Sequence, residues 1–257
     1  MKFPFRAVLL TGLLAPLFLT GPDLAAVDLE DWTLEDVLAE ISEANGGEEA
    51  LKSVTSARFL GEVESPNDSY DFVLLKKRPD KLRMHLRFFQ RSIERGFDGD
   101  HGWTRLTQRG FDKVIPVDGD ELEQMRLEAD FDGPLVGEAL EGTSRRLIGI
   151  ERIERIDYFI VEIETPFTIG HHYVDSRTFR ELKNVKWKKP VKDKAQKVVS
   201  SFFENERHGQ IWVSHRVERE HPDGSKEIIR INQVEINPGL LDRTFDEPAE
   251  RNPLPKN

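Results

Sequence analysis

The stretch Ile93–Leu106 constrains the fold more than any other. It reads Ile-Glu-Arg-Gly-Phe-Asp-Gly-Asp-His-Gly-Trp-Thr-Arg-Leu, with Asp98-Gly99 and Gly102 between two runs able to form strands. That is the pattern of a hairpin tip. Phe97 and Trp103 flank the tip, one large ring on each side. A two-stranded ribbon cannot bury such rings alone, so more sheet must supply the surface they cover. The surface is either a packed core or a cavity for an apolar ligand.

The neighbouring chain has the same two-residue period. Leu82, Met84, Leu86 and Phe88 alternate with Arg83, His85 and Arg87, one face apolar and the other cationic. Before it, Ala57–Glu64 and Tyr70–Lys77 read as strands joined through Ser65-Pro66-Asn67-Asp68. After residue 144 strands return at Arg145–Arg155, Tyr158–Thr165, His171–Asp175, Arg180–Trp187, Lys197–Glu206, Ile211–His221 and Lys226–Ile236. His208-Gly209 and Pro222-Asp223-Gly224-Ser225 are turn signals between the last three.

Helical periodicity is confined to a few places. Thr33-Leu34-Glu35-Asp36 forms an N-cap signature, Leu34, Val37, Leu38 and Ile41 recur at helical spacing, and Asn45-Gly46-Gly47 stops the run. A short helical turn is expected through Glu48–Val54. Asp118–Asp130 lacks β-branched residues and reads as a helix. Phe131–Gly142, with Gly133-Pro134 and Leu140, reads as a partly apolar excursion able to cover an opening. Helices do not alternate with strands, which argues against a parallel α/β fold. The expected class is α+β and mostly antiparallel: a strongly curved sheet or half-open β-barrel with two or three helices on one face.

At the N-terminus Lys2 and Arg6 precede an apolar run from Ala7 to Leu19, and Ala25-Ala26 follow. This is the layout of a secretory signal, too short for a membrane span of roughly 20 apolar residues. The expected organisation is a signal peptide at 1–26, one domain at 27–247 and a proline-bearing flexible tail at 248–257. Without Lys2, Arg6 and Asp23, the 37 basic and 47 acidic residues become 35 and 46, a net charge of −11. That charge argues against nucleic acid as a partner and suits basic partners. The chain has no cysteine, which excludes disulfides, thiol catalysis and a lipid-modified N-terminal cysteine. Export without disulfides points to a periplasm.

Candidate chemistry is sparse. There is no phosphate-binding glycine loop and no Gly-x-Ser-x-Gly turn. His171-His172 with Asp175, and His208 with His215 and His221, are the best metal candidates. Adjacent strand histidines face opposite ways, and His215 and His221 would stand about 20 Å apart along a straight strand. Scattered surface histidine is the expectation, with no metal site and no cofactor. Asp98, Asp100 and His101 offer a remote hydrolase reading, set against the ordinary role of Asp in a glycine-bearing turn.

Several phrases together carry a family resemblance. Ser53-Val54-Thr55-Ser56, Lys77-Arg78-Pro79-Asp80-Lys81-Leu82-Arg83, Asp98-Gly99 followed by Trp103, and the late run from Ile231 through Asn237 to Phe245-Asp246-Glu247-Pro248 occur in this order. Together they resemble the LolA-like outer-membrane lipoprotein-sorting proteins. The resemblance implies a half-open antiparallel barrel closed by helices, with an apolar interior that holds acyl chains. It implies a non-catalytic periplasmic carrier of a lipid or lipoprotein, working with inner- or outer-membrane partner proteins. Phe72, Leu74, Met84, Leu86, Phe88 and Trp103 are the expected cavity lining. The alternative is a structural or sensor protein whose barrel is filled by its own side chains and which acts through protein contacts.

Overall fold

The computed structural model describes residues 31–249 except Asn67 and Gln210. The expected signal segment and residues 250–257 of the expected tail lie outside the described residues. Among the described residues two helices come first, α1 (Leu34–Ala44) and α2 (Gly47–Ser53). Six strands follow: β1 (Ser56–Glu64), β2 (Ser69–Lys77), β3 (Lys81–Arg87), β4 (Arg91–Phe97), β5 (Gly102–Gln108) and β6 (Phe111–Val117). Helix α3 (Gly119–Ala129) leads to seven more: β7 (Ser144–Ile153), β8 (Ile156–Glu164), β9 (Thr168–Asp175), β10 (Glu181–Lys188), β11 (Lys197–His208), β12 (Ile211–Glu220) and β13 (Lys226–Ile236). Strand β6 is not expected from the sequence, and Phe88 falls just beyond β3 rather than within it.

Among the described residues, thirteen strands form one antiparallel sheet, in the order β6-β5-β4-β3-β2-β1-β13-β12-β11-β10-β9-β8-β7. Two meanders meet at the β1–β13 pair, where Ala57 faces Ile236 and Val63 faces Ile229. Strands β6 and β7 are the two free edges. The chain between them, α3 and residues 130–143, therefore has to cross the sheet.

Register assigns the faces. Lys76, Leu82, Phe97, Gly102 and Val117 form one row across β2 to β6, and Leu74 lies opposite Met84 on the same side. Helix α3 covers this face: Met125 and Ala129 are fully buried with Leu82, Phe97 and Val117, and Leu74, Met84 and Leu122 pack around them. Gly102 permits the approach, since a Cβ there would lie 2.9 Å from Leu122 and 3.1 Å from Met125. At the other end α1 lies on the equivalent face. Val37 and Ile41 are buried there against Phe159, Val161, Ile163 and Val174. The N-terminus of α1 is fixed by a capping box: Thr33 Oγ1 accepts from the Asp36 amide at 3.2 Å, and the Asp36 carboxylate accepts from the Thr33 amide at 2.9 Å.

The opposite face of β3 to β6 is charged and paired. Arg83 Nη2 meets Glu94 at 2.8 Å, and Arg105 Nη2 meets Asp112 at 2.5 Å. The alternation of Leu82–Leu86 with Arg83–Arg87 thus separates a helix-covered side from a salt-bridged one. Among the described residues no helix is long and apolar enough to cross a membrane.

The phrases that carry the resemblance meet in space. Asn237, at φ 53°, accepts at Oδ1 from the Thr55 amide at 2.8 Å and donates from Nδ2 to the Ser53 carbonyl at 3.0 Å. The Arg78 amide donates to the Thr55 carbonyl, and its guanidinium reaches the carbonyls of Leu51 and Val54. Lys77 donates to the Leu240 carbonyl and pairs with Asp242. They form a knot that ties α2, β1, β2 and the C-terminal segment together.

Candidate functional site

A cavity of about 470 Å³ opens on the helix-covered face, within the range usual for small-molecule sites. Its lining comes from distant parts of the chain: Lys76 on β2, Leu127 and Asp130 at the end of α3, Pro134 and Leu140 on the crossing segment, and Ile163, His172 and Lys186 on β8 to β10. Strands β2 and β10 are five steps apart in the sheet. Laid flat, five steps at about 4.8 Å would separate them by roughly 24 Å. Lys76 and Lys186 line one cavity because the sheet curls with its helix-covered face inward.

The lining has two characters. Leu127, Pro134, Leu140, Ile163 and Phe167 offer apolar surface. Lys76, Arg145 and Lys186 bring positive charge, with Glu128 and Asp130 beside them. Lys76 Nζ donates to the Asp130 carbonyl. Burial lowers the Lys76 pKa, against the pull of Asp130, Asp132 and Glu128. Burial likewise raises the pKa of Asp130, opposed chiefly by Lys76, and lowers that of Arg145, opposed by Asp130. These are groups held partly out of water, for which an added opposite charge has a large effect.

In the cavity wall His172 is buried, 2% exposed, with Nδ1 2.7 Å from Glu181 Oε1; Asn184 donates to the same oxygen at 2.8 Å. Burial disfavours charge on Glu181, but His172 and Asn184 outweigh it and bring the carboxyl below its usual range.

The crossing segment is pinned at both ends. The Arg78 guanidinium grips both carboxylate oxygens of Asp132 and lies 4.5 Å from the centre of the Phe131 ring. Arg145 donates to the carbonyls of Val136, Gly137 and Glu138 at 2.7 to 3.3 Å. Leu135 is buried and Val136 half-buried against the α1 cluster. Between these anchors Pro134 and Leu140 face the cavity.

Five of the six expected lining residues share the inward face. Leu74 and Met84 pack beside α3, Phe72 is buried with its ring beside Gly61, and Leu86 lies opposite Phe72. Phe88 packs against Tyr70 with ring centres 4.6 Å apart, and the Arg91 guanidinium lies over its ring. Trp103 is set apart. It pairs with Gly96, which pairs with Arg83, so its side chain points to the opposite face. There it is 1% exposed, lies under the Arg83 guanidinium, and donates from Nε1 to the Phe245 carbonyl at 2.9 Å. None of the six lines the cavity of about 470 Å³, whose walls come from segments that sequence periodicity alone does not bring together.

Asp98 behaves as a turn residue. Its Oδ1 accepts from the amides of Asp100 and His101 at 2.9 and 2.8 Å; burial opposes its charge, and those amides outweigh it and lower its pKa. A second depression, of about 570 Å³, lies among turns at Ser65-Pro66 and His221–Glu227. Its walls are turn residues and the start of β13, with less apolar surface than the inner cavity, so the inner cavity is the candidate site. The histidines differ from expectation in two respects: His172 is buried rather than on the surface, and His208 and His215 stand in contact, Nε2 to Nε2 at 2.7 Å.

No family model matches the chain, and no curated protein sequence matches it either. Solved structures do. A DUF1329 family protein from Desulfovibrio piger superposes with a TM-score of 0.58 at 14% identity, over 83% of this chain and 97% of that one. A LolA superfamily protein from Nitrosomonas europaea superposes with a TM-score of 0.56 at 13% identity, over 84% of this chain and 98% of that one. With its open, curled antiparallel sheet and helices on the inner face, the chain has a LolA-like fold.

Proposed function

We propose that the protein is a non-catalytic binding protein of the periplasm. In this reading it carries a lipid, or the acyl chain of a lipoprotein, in the inner cavity, as part of outer-membrane lipid or lipoprotein sorting. The observation that carries this is the cavity itself, with an apolar wall from Leu127, Pro134, Leu140, Ile163 and Phe167 and a cationic side from Lys76, Arg145 and Lys186. An acyl chain exposed to water costs about 0.8 kcal/mol per methylene, so a soluble carrier has to enclose it. The cations, Lys76 and Arg145 half-buried and Lys186 exposed, suit an amphiphile with an anionic head. The LolA-like fold supports the same reading, and loading and release would then involve membrane partner proteins.

The second reading, a filled barrel acting through its surface, is favoured by the packed region under α3, where Phe97 and Met125 are 2% and 0% exposed. Organic extraction of gently purified protein followed by mass spectrometry decides between them. A carrier yields a bound lipid and takes up added fatty acyl chains with a stoichiometry near one. A protein with neither property is a filled barrel.

A further inference from the structure

The hairpin β11–β12 carries a cluster remote in sequence from every lining residue of the cavity. Its register pairs Glu206 with Val213 and His208 with Ile211. Side chains alternate along each strand, so Glu206, His208 and His215 share one face. His208 Nε2 and His215 Nε2 are 2.7 Å apart, and Glu206 Oε2 lies 3.9 Å from His215 Nε2. One ligand atom from each of the three falls within 4.8 Å of the others.

The second ring nitrogen of His215 is already assigned. Its Nδ1 is 2.6 Å from the Ile231 carbonyl oxygen, which only accepts, so Nδ1 carries the proton and Nε2 presents a lone pair. This carbonyl is available because the β12–β13 ladder ends at Arg216 opposite Arg230. A histidine whose far nitrogen donates to a backbone carbonyl is oriented as metal-binding histidines are. The backbone is also unusual here: Glu204 adopts φ 54° within β11, and the ladder bonds on either side of it skip the position facing His215. Backbone in this region is costly for a residue other than glycine and gathers at functional sites.

We propose that Glu206, His208 and His215 form a binding site for a divalent first-row transition metal ion of the Zn²⁺ class. Two imidazole nitrogens and one carboxylate oxygen make a borderline donor set suited to Zn²⁺, Cu²⁺ or Ni²⁺ rather than to Ca²⁺ or Mg²⁺. Three protein ligands leave a coordination position open. Without metal, one proton bridges the two Nε2 atoms, donated by His208. When metal takes its place, His208 shifts to the tautomer protonated at Nδ1, exchanging the proton through solvent with no net loss, and the two nitrogens separate to straddle the ion. The half-buried hairpin end permits that small movement.

Zn²⁺ titrated calorimetrically into the chelator-stripped, full-length protein tests the site, alongside H208Q, H215Q and E206Q. H101Q, on the distant hairpin whose His101 side chain is 84% exposed, is the control. The expected result is one saturable equivalent. Loss of a group that merely orients a ligand weakens metal sites by 10- to 100-fold, so each histidine variant should weaken this one by about 100-fold or more. E206Q should weaken it by about tenfold and H101Q leave it unchanged. Histidine side-chain nitrogen NMR of the wild type gives an independent readout: Zn²⁺ should move the Nε2 resonances of two histidines only. Absence of saturable binding, binding insensitive to H208Q and H215Q, or shifts spread over all histidines overturns the proposal.

Discussion

At the scale of single residues, two positions show how close contact and buried charge set the limits of this fold. Gly96 lies against the indole of Trp103; an added Cβ would stand 2.4 Å from Cε2 of that ring. Because Trp103 is held by Arg83 and by the Phe245 carbonyl, it has nowhere to retreat. Gly96→Ala is therefore expected to destabilise by about 1–3 kcal/mol, as overpacking does, read from the urea midpoint at unchanged slope. The second position is Glu181. Its pKa in the folded protein lies below the usual 4.5 because His172 and Asn184 hold the charged form more strongly than burial opposes it. Its unfolded pKa is thus the higher of the two. The stabilisation is complete above 4.5 and is lost as pH falls through the lowered value. Glu181→Gln should lower stability at neutral pH, and the gap from wild type should close as pH falls through that window. A gap that stays constant between neutral pH and the acid limb would show that the charge of Glu181 contributes nothing.

At the scale of elements, the crossing segment between β6 and β7 matters most, because it forms part of the cavity wall. Its entry depends on Arg78 and Asp132, with side chains 25% and 23% exposed. Removing the carboxylate leaves a half-buried guanidinium with fewer partners. Asp132→Ala should cost about 1–3 kcal/mol and make residues 131–143 the first site of limited proteolysis. Much at this scale was readable beforehand. Leu34, Val37, Leu38 and Ile41 mark the buried stripe of α1, and the run from Leu82 to Arg87 distinguishes the two faces of β3. Strand β6 was not readable. Phe111-Asp112-Lys113-Val114-Ile115-Pro116-Val117 contains a proline, and Phe111 and Ile115 are 42% and 36% exposed. An edge strand tolerates proline and has no clean buried side, so period-2 alternation fails as its signal. The His208–His215 contact was hidden for another reason. Their separation along the chain says nothing of how strand twist and a non-glycine residue at positive φ bring two ring tips together.

At the scale of the molecule, one pairing decides the architecture. Because β1 joins β13, the two meanders share a single sheet, its free edges are β6 and β7, and the linker between those edges must run over the inner face. The cavity follows from that path and from the curl. For this reason residues on β2, α3, the crossing segment and β10 surround one space although no sequence pattern groups them. Alternation puts Leu82, Met84 and Leu86 on the face that α3 covers, but it cannot tell where α3 fills that face and where it leaves room. Nor does a large ring beside a hairpin tip, such as Trp103, indicate its face, since it is compatible with either. The absence of cysteine allows a direct test of which space a ligand occupies. A single Leu140→Cys substitution, labelled with a polarity-sensitive dye, places the probe in the cavity wall; Phe89→Cys, at a position 95% exposed, serves as reference. Adding a fatty acyl ligand should displace the Leu140 probe and shift its emission, leave the Phe89 probe unchanged, and leave the emission difference between wild type and Trp103→Phe unaltered. Lys76→Met should weaken uptake of an acid more than of the matching alcohol, by about 5- to 10-fold, if the half-buried ammonium is the counter-ion of the head group. Equal loss for acid and alcohol would assign Lys76 to the wall alone, and a silent Leu140 probe during measurable uptake would place the ligand elsewhere on the inner face.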